Sequence, residues 1–188
     1  NSAVMSENDE WIKQTIAEGK KKYPNDQDFT ITVANVSLMT GDYEQAEEAL
    51  QLAIQADPTN TSMIYALGNV YEKLGIKDRA VQSYQSALSI EPNMFDANYG
   101  LGVMYFNEAN KIQQEINMLD FGSSELAALE KSHQEFLNES EMCLVKAYDV
   151  NPNDYNTVSA LAAIYAQLDQ MEKYMRMKTA LDRIKNGN

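Results

Sequence analysis

The side chains able to do chemistry here are few, and their spacing is wrong for catalysis. The single histidine, His133, and the single cysteine, Cys143, lie in one stretch whose spacing predicts a continuous helix. Ten residues of helix separate them by ~15 Å along the axis, outside hydrogen-bond reach. No serine–histidine arrangement, phosphate-cradling glycine loop or cluster with metal-ligand spacing occurs. Carboxylate pairs such as Glu47 with Glu48 and Glu139 with Glu141 read as exposed helix faces. The sequence therefore predicts no enzyme, no catalytic residue, no metal and no cofactor, and Cys143, having no partner, forms no internal disulfide.

Charge narrows the partners. The 188 residues carry a formal net charge of −13, which excludes nucleic acid, because a phosphate backbone needs a basic stripe. From Tyr23 to Glu72 there is no lysine or arginine, while Asp26, Asp28, Asp42, Glu44, Glu47, Glu48, Asp57 and Glu72 are all acidic. Such a field steers a neutral or basic partner and repels an acidic one; the plainer reading is a solvated acidic surface that aids solubility. Hydrophobic residues make up 44% of the chain without any apolar run near 18 residues, which predicts a soluble protein with no membrane insertion. No signal peptide is present, and a first residue other than methionine predicts that a leader or an N-terminal region has been removed.

The elements that position these groups are clearest from Thr61 to Pro92. Ile64, Leu67, Gly68 and Tyr71 share one helical face, and Ala80, Tyr84, Ala87 and Leu88 share another. Between them Gly75 is expected in the left-handed conformation that ends a helix, with Asp78 capping the next. Small Gly68 and Ala80 face large Tyr71 and Tyr84, which lets the two helices approach closely. A helical hairpin of this size cannot bury its own face and needs neighbours. Prolines mark them: Pro24, Pro58 and Pro92 are spaced by 34 residues, and Pro152 follows 60 residues after Pro92.

A 34-residue period with this pattern resembles the tetratricopeptide repeat, whose signature is a W-x2-L-G-x2-Y face, then A-x3-F, then P. The unit from Thr61 matches nearly every slot, with Ile64 for the tryptophan and Tyr84 for the phenylalanine. The resemblance implies an all-α solenoid of helical hairpins, wound as a right-handed superhelix, forming one domain over residues 1–188. A helix at 5–24, carrying Trp11, Ile12 and Ile16 on one face, is either a cap or the cut end of a longer array. Repeats follow at 27–60 and 61–94. The first has Val33 and Ala34 in the Leu-Gly slots and Gly41 in the turn, but Thr30 and Ser37 where large residues belong, so its packing is expected to be less secure.

The third unit, 95–154, begins with Leu101, Gly102 and Tyr105, and then Ala109 occupies the slot of Gly41 and Gly75. With no glycine to stop it, the helix is expected to continue through Ile112, Ile116 and Leu119. A turn at Asp120 to Ser124 reverses the chain, and a second helix returns through Leu126, Leu129 and Phe136. The 26 extra residues, at about 108–137, lengthen each helix by ~20 Å, so one long antiparallel hairpin should project. Residues 155–188 form a last repeat with Val158, Leu161, Ala162 and Tyr165, ending in a charged capping helix.

In the tetratricopeptide family the first helices line a concave groove that holds an extended peptide. Carried over, the groove positions are Ile31, Asn35, Leu38 and Met39, then Tyr65, Asn69, Glu72 and Lys73, then Tyr99, Val103, Phe106 and Asn107. The resemblance would stand the amides of Asn35 and Asn69 in a row, able to bond both N–H and C=O of a peptide; packing between helices is the competing use for them. Relatives that grip acidic chaperone tails use lysines and arginines, and the matching slots Asp28, Ile31, Ser62, Tyr65, Asp96 and Gly100 hold no cation. Two functions follow. One is a protein-interaction scaffold holding a neutral or basic segment in its groove. The other is a structural or oligomerising subunit using the hairpin, whose tip carries Met118, Leu119, Phe121 and Leu126, with homo-oligomerisation as one outcome. The elongated unit is similar to that of some bacterial extracytoplasmic family members, which implies a periplasmic protein, with the cytoplasm as the alternative.

Overall fold

The computed structural model describes residues 2–23, 26–120 and 123–187, and among them there are nine α-helices and no strand. They are α1 (Ser2–Lys22), α2 (Gln27–Thr40), α3 (Tyr43–Ala56), α4 (Thr61–Lys73), α5 (Lys77–Ile90), α6 (Phe95–Met118), α7 (Leu126–Val150), α8 (Tyr155–Gln167) and α9 (Met171–Asn186). Pro24, Phe121 and Gly122 lie outside the described residues. The helices divide into two compact units, residues 1–90 and 91–188.

Helix starts in both units are set by short acceptors. The side chains of Asp26, Asp42, Asn60 and Asp154 each accept the N–H three residues on, at 2.7–3.2 Å, using donors the helix itself leaves unpaired. Asp78 does not do this. It is the second residue of α5, in the first turn, and the place equivalent to Asp42 is held by Ile76, which has no oxygen to offer. Asp78 is left to interact with the helix dipole.

In the first unit, Ile16 of α1, Val33 and Ala34 of α2, Ala46, Ala49 and Leu50 of α3 and Val70 of α4 form one core. α2 compensates for its small residues in two ways. Phe29 lays its ring where a side chain on Gly19 would stand, and buried Ser37 donates to Gln45 Oε1 at 2.9 Å. α4 and α5 interlock more tightly. A Cβ on Gly68 would meet Tyr84 Cε1 at 2.5 Å, while Ala80, Tyr84 and Ala87 are wholly covered.

The second unit is built on α6 and α7, of 24 and 25 residues. They run antiparallel: Gly102 meets Leu144, the Ser140 hydroxyl donates to the Gly102 carbonyl at 2.7 Å, and farther along the rings of Tyr105 and Phe136 lie 6.1 Å apart. Ala109, Leu137, Leu144, Leu161, Ile164 and Tyr165 form the core. α8 ends at Gln167, whose Nε2 donates to Asn110 Oδ1 and whose Oε1 meets His133 Nε2, both at 3.1 Å. Past this crosslink, Ile112, Ile116, Leu119, Leu126 and Leu129 are all half-buried.

The turns explain why only one helix pair is lengthened. Gly41 and Gly75 have φ of +77° and +75°, which a side chain resists. At Ala109 the chain stays helical and buried. Asp169, 60 residues later, is a non-glycine residue forced to φ +55°, and it ends α8 as the glycines end α2 and α4. Two outcomes follow for urea unfolding of the full chain. Asp169→Gly raises stability by about 0.5–1 kcal/mol, and Gly75→Ala lowers it by about 1 kcal/mol.

Candidate functional site

In the first unit the candidate residues sit on α2 and α4, which contribute to the same core. On α2, Asn35 is exposed, Met39 is 87% exposed, and Ile31 and Leu38 are half-buried, Leu38 against the core. On α4, Tyr65, Asn69 and Glu72 fall at i, i+4 and i+7, one stripe of a helix, and they gather around one side chain of α5. Tyr84 lies across Gly68 with its ring 5.6 Å from that of Tyr65. Its hydroxyl, covered like the ring, lies 2.6 Å from Asn69 Oδ1 and 3.0 Å from Glu72 Oε2. Burial, then the Glu72 charge, raises the Tyr84 phenol far above its ordinary range, so the proton stays on it. Lys73, next along α4, is exposed.

The acidic stretch around this stripe is partly neutralised. Glu47 Oε1 accepts from Gln51, from the Tyr71 hydroxyl and from Arg79 at 3.0–3.3 Å, and Glu48 pairs with Lys20 at 2.8 Å. Asp57, bonded by the hydroxyl and N–H of Thr59, is held below the usual carboxylate range. A separate cleft of about 440 Å³, with Ile64, Leu67 and Tyr71 on one side and Arg79, Ser86 and Ile90 on the other, belongs to this unit too. Its serine hydroxyls are turned back onto α5 carbonyls.

In the second unit, Tyr99, Val103 and Phe106 are half-buried and packed against the core; Asn107 is exposed. Tyr99 stacks on Phe95 with the rings parallel within 5°, and burial with nearby Asp154 raises its phenol. At the far end of α6 Met118 is 83% exposed, Leu119 and Leu126 are half-buried, and Phe121 lies outside the described residues.

His133 is engaged by Gln167, and burial pushes the Cys143 thiol up to about 11. Among the described residues no three or more histidines, cysteines or carboxylates gather as metal ligands, and no helix is long and apolar enough to cross a membrane. Sequence reading missed the Tyr84 hydroxyl, placed only in the core, and the Gln167 crosslink. The 15-residue offset from Asn69 to Tyr84 across a known helix turn was the one signal for the first.

Residues 34–60 and 61–94 match the tetratricopeptide repeat family. The chain carries tetratricopeptide repeats at these two places. The first match begins inside α2, past Thr30, and the second ends before α6, whose lengthening departs from the family period. The fold is shared with MamA, at a TM-score of 0.71 and 15% identity over 93% of this chain and 86% of that one. It is shared with a Bacteroides ovatus protein provisionally described as protein-binding, at 0.61 and 17% over 96% and 92%. The dimer of human IFIT1 with m7Gppp-AAAA aligns at 0.63 and 14% over 88% of this chain, which spans 35% of its length. No curated protein matches the sequence.

The thiol gives a check on the second unit. Thiolate is the nucleophile, so with the thiol pushed up to about 11, iodoacetamide at pH 8 should alkylate Cys143 in the folded protein at least ~10-fold more slowly than in urea. Equal rates, read by mass spectrometry, would place Cys143 in solvent.

Proposed function

We propose that this tetratricopeptide protein is a non-catalytic interaction scaffold whose α2 and α4 surface holds an extended, neutral or basic segment of a partner protein. The observation that carries the reading is the Tyr65, Asn69 and Glu72 stripe. It offers an aromatic face, an amide and a carboxylate, and the amide and carboxylate are held by a hydroxyl anchored in the core. Polar groups fixed in advance cost less to order on binding. Exposed Asn35 and Met39 extend the candidate surface on α2, and Tyr99, Val103 and Phe106 are the corresponding candidates on α6.

The test is selection of peptides from a displayed random library on the full chain, followed by calorimetry. Tyr65→Ala and Asn35→Ala should each weaken the selected peptides by roughly fivefold or more, about 1 kcal/mol, with the circular dichroism unchanged. Unaltered affinity in both variants would move binding off this surface.

A second reading rests on Met118, exposed at the end of helices longer than any others described: the α6–α7 hairpin joins the protein to copies of itself or to a larger complex. Deleting residues 110–136 and rejoining the helices through a glycine turn should keep the helical spectrum and abolish any oligomer seen by sedimentation velocity. A shortened chain with the same sedimentation behaviour would leave the α2 and α4 surface as the only proposed site.

A further inference from the structure

The Tyr84 hydroxyl stands between two oxygens, Asn69 Oδ1 at 2.6 Å and Glu72 Oε2 at 3.0 Å. It has one proton to give, and a phenol this far from ionising keeps that proton. A single O–H cannot serve both acceptors, so one close oxygen pair would face lone pair to lone pair. The carboxylate of Glu72 can only accept. The amide of Asn69 can do either, because its nitrogen and oxygen have nearly the same shape and only the hydrogen-bond partners decide which faces which.

The geometry points to the amide turned so that Asn69 Nδ2 donates to Tyr84 Oη, Tyr84 donates to Glu72, and Asn69 Oδ1 is directed away from Tyr84 as an acceptor reserved for a donor on the ligand. Every member of the chain then has one donor for each acceptor, and the hydrogen bond to the carboxylate is charge-assisted. Tyr84 is a positioning residue: it touches no ligand, but it decides which atom the half-buried Asn69 presents. An acceptor beside a carboxylate selects N–H groups, so the ligand class is an extended segment that brings a lysine or arginine side chain to α4. The acidic composition of the stretch from Tyr23 to Glu72 favours the same choice. This ligand class rests on the surface proposed above; the orientation of the amide does not.

Two measurements separate them. In the ¹⁵N-labelled protein, with the Asn69 side-chain amide assigned from its loss in Asn69→Ala, one Nδ2 proton should show a nuclear Overhauser contact to the Tyr84 ring. That proton should exchange with water about fivefold or more slowly than a free amide, and Tyr84→Phe, which keeps the ring, should remove the slowing. Amide protons that show no contact to Tyr84 and exchange alike in Tyr84→Phe would overturn the orientation. Fluorescence anisotropy with two labelled peptides of equal length, one alternating lysine with alanine and one alternating glutamate with alanine, tests the ligand class. The lysine peptide should bind more tightly and lose roughly fivefold with Asn69→Ala. An oriented amide with no preference for the lysine peptide would overturn the ligand class alone, whereas lysine-peptide affinity unchanged in Asn69→Ala would overturn the α4 surface as well and leave only the amide assignment.

Discussion

The missing Cβ at Gly68 is the constraint on which the α4–α5 pair depends. With a side chain there, the 2.5 Å approach of Tyr84 Cε1 could not exist, and the ring would have to leave the space that it fills completely. Close approach does more than add dispersion contacts. It lays the tyrosine across its partner helix, so that a side chain covered along its whole length brings its hydroxyl to the half-buried Asn69 and the exposed Glu72. The polar groups of the α4 stripe owe their order to a packing decision made one helical turn away.

The second unit uses the same device to a different end. Gly102 admits Leu144 as Gly68 admits Tyr84, but leucine brings no hydroxyl through. The polar contact is supplied from behind instead, by Ser140 donating to the Gly102 carbonyl inside the core. Buried and satisfied, that bond fixes the register of α6 on α7 and offers nothing to a ligand. Two glycines in equivalent slots thus support a pre-ordered surface in one unit and a locked shaft in the other, and the residue opposite decides which.

Much of this was legible. The 34-residue spacing, the Gly41 and Gly75 turns and the run-on at Ala109 all express rules that act on neighbouring residues, and such rules can be read from a string. Asp169 could not be read that way. Aspartate tolerates the left-handed region without demanding it, so a turn equivalent to those at Gly41 and Gly75 carried no signal. Asp78 misled for a related reason: a good capping residue is two positions too late when the turn closes on Ile76. Residues named for a groove from family positions divided once their surroundings were visible, Asn35 and Met39 open to solvent, Leu38, Tyr99, Val103 and Phe106 partly held by the cores. The Asn69, Tyr84 and Glu72 group needed three dimensions, because which side of α4 the tyrosine reaches depends on how closely α5 approaches.

The uninterrupted helix at Ala109 also bears on the order of events as the chain folds. The helices α6 and α7 are joined by residues 119–125, and a loop of this length closes in tens of nanoseconds. Contacts near the tip therefore involve little loss of chain entropy, whereas the bond from Gln167 to Asn110 spans 57 residues and waits for everything between. The second unit should nucleate at the free end of its hairpin and zip toward the base, with α8 arriving last. A segment outside the buried core of the finished unit would then be the earliest to acquire its structure.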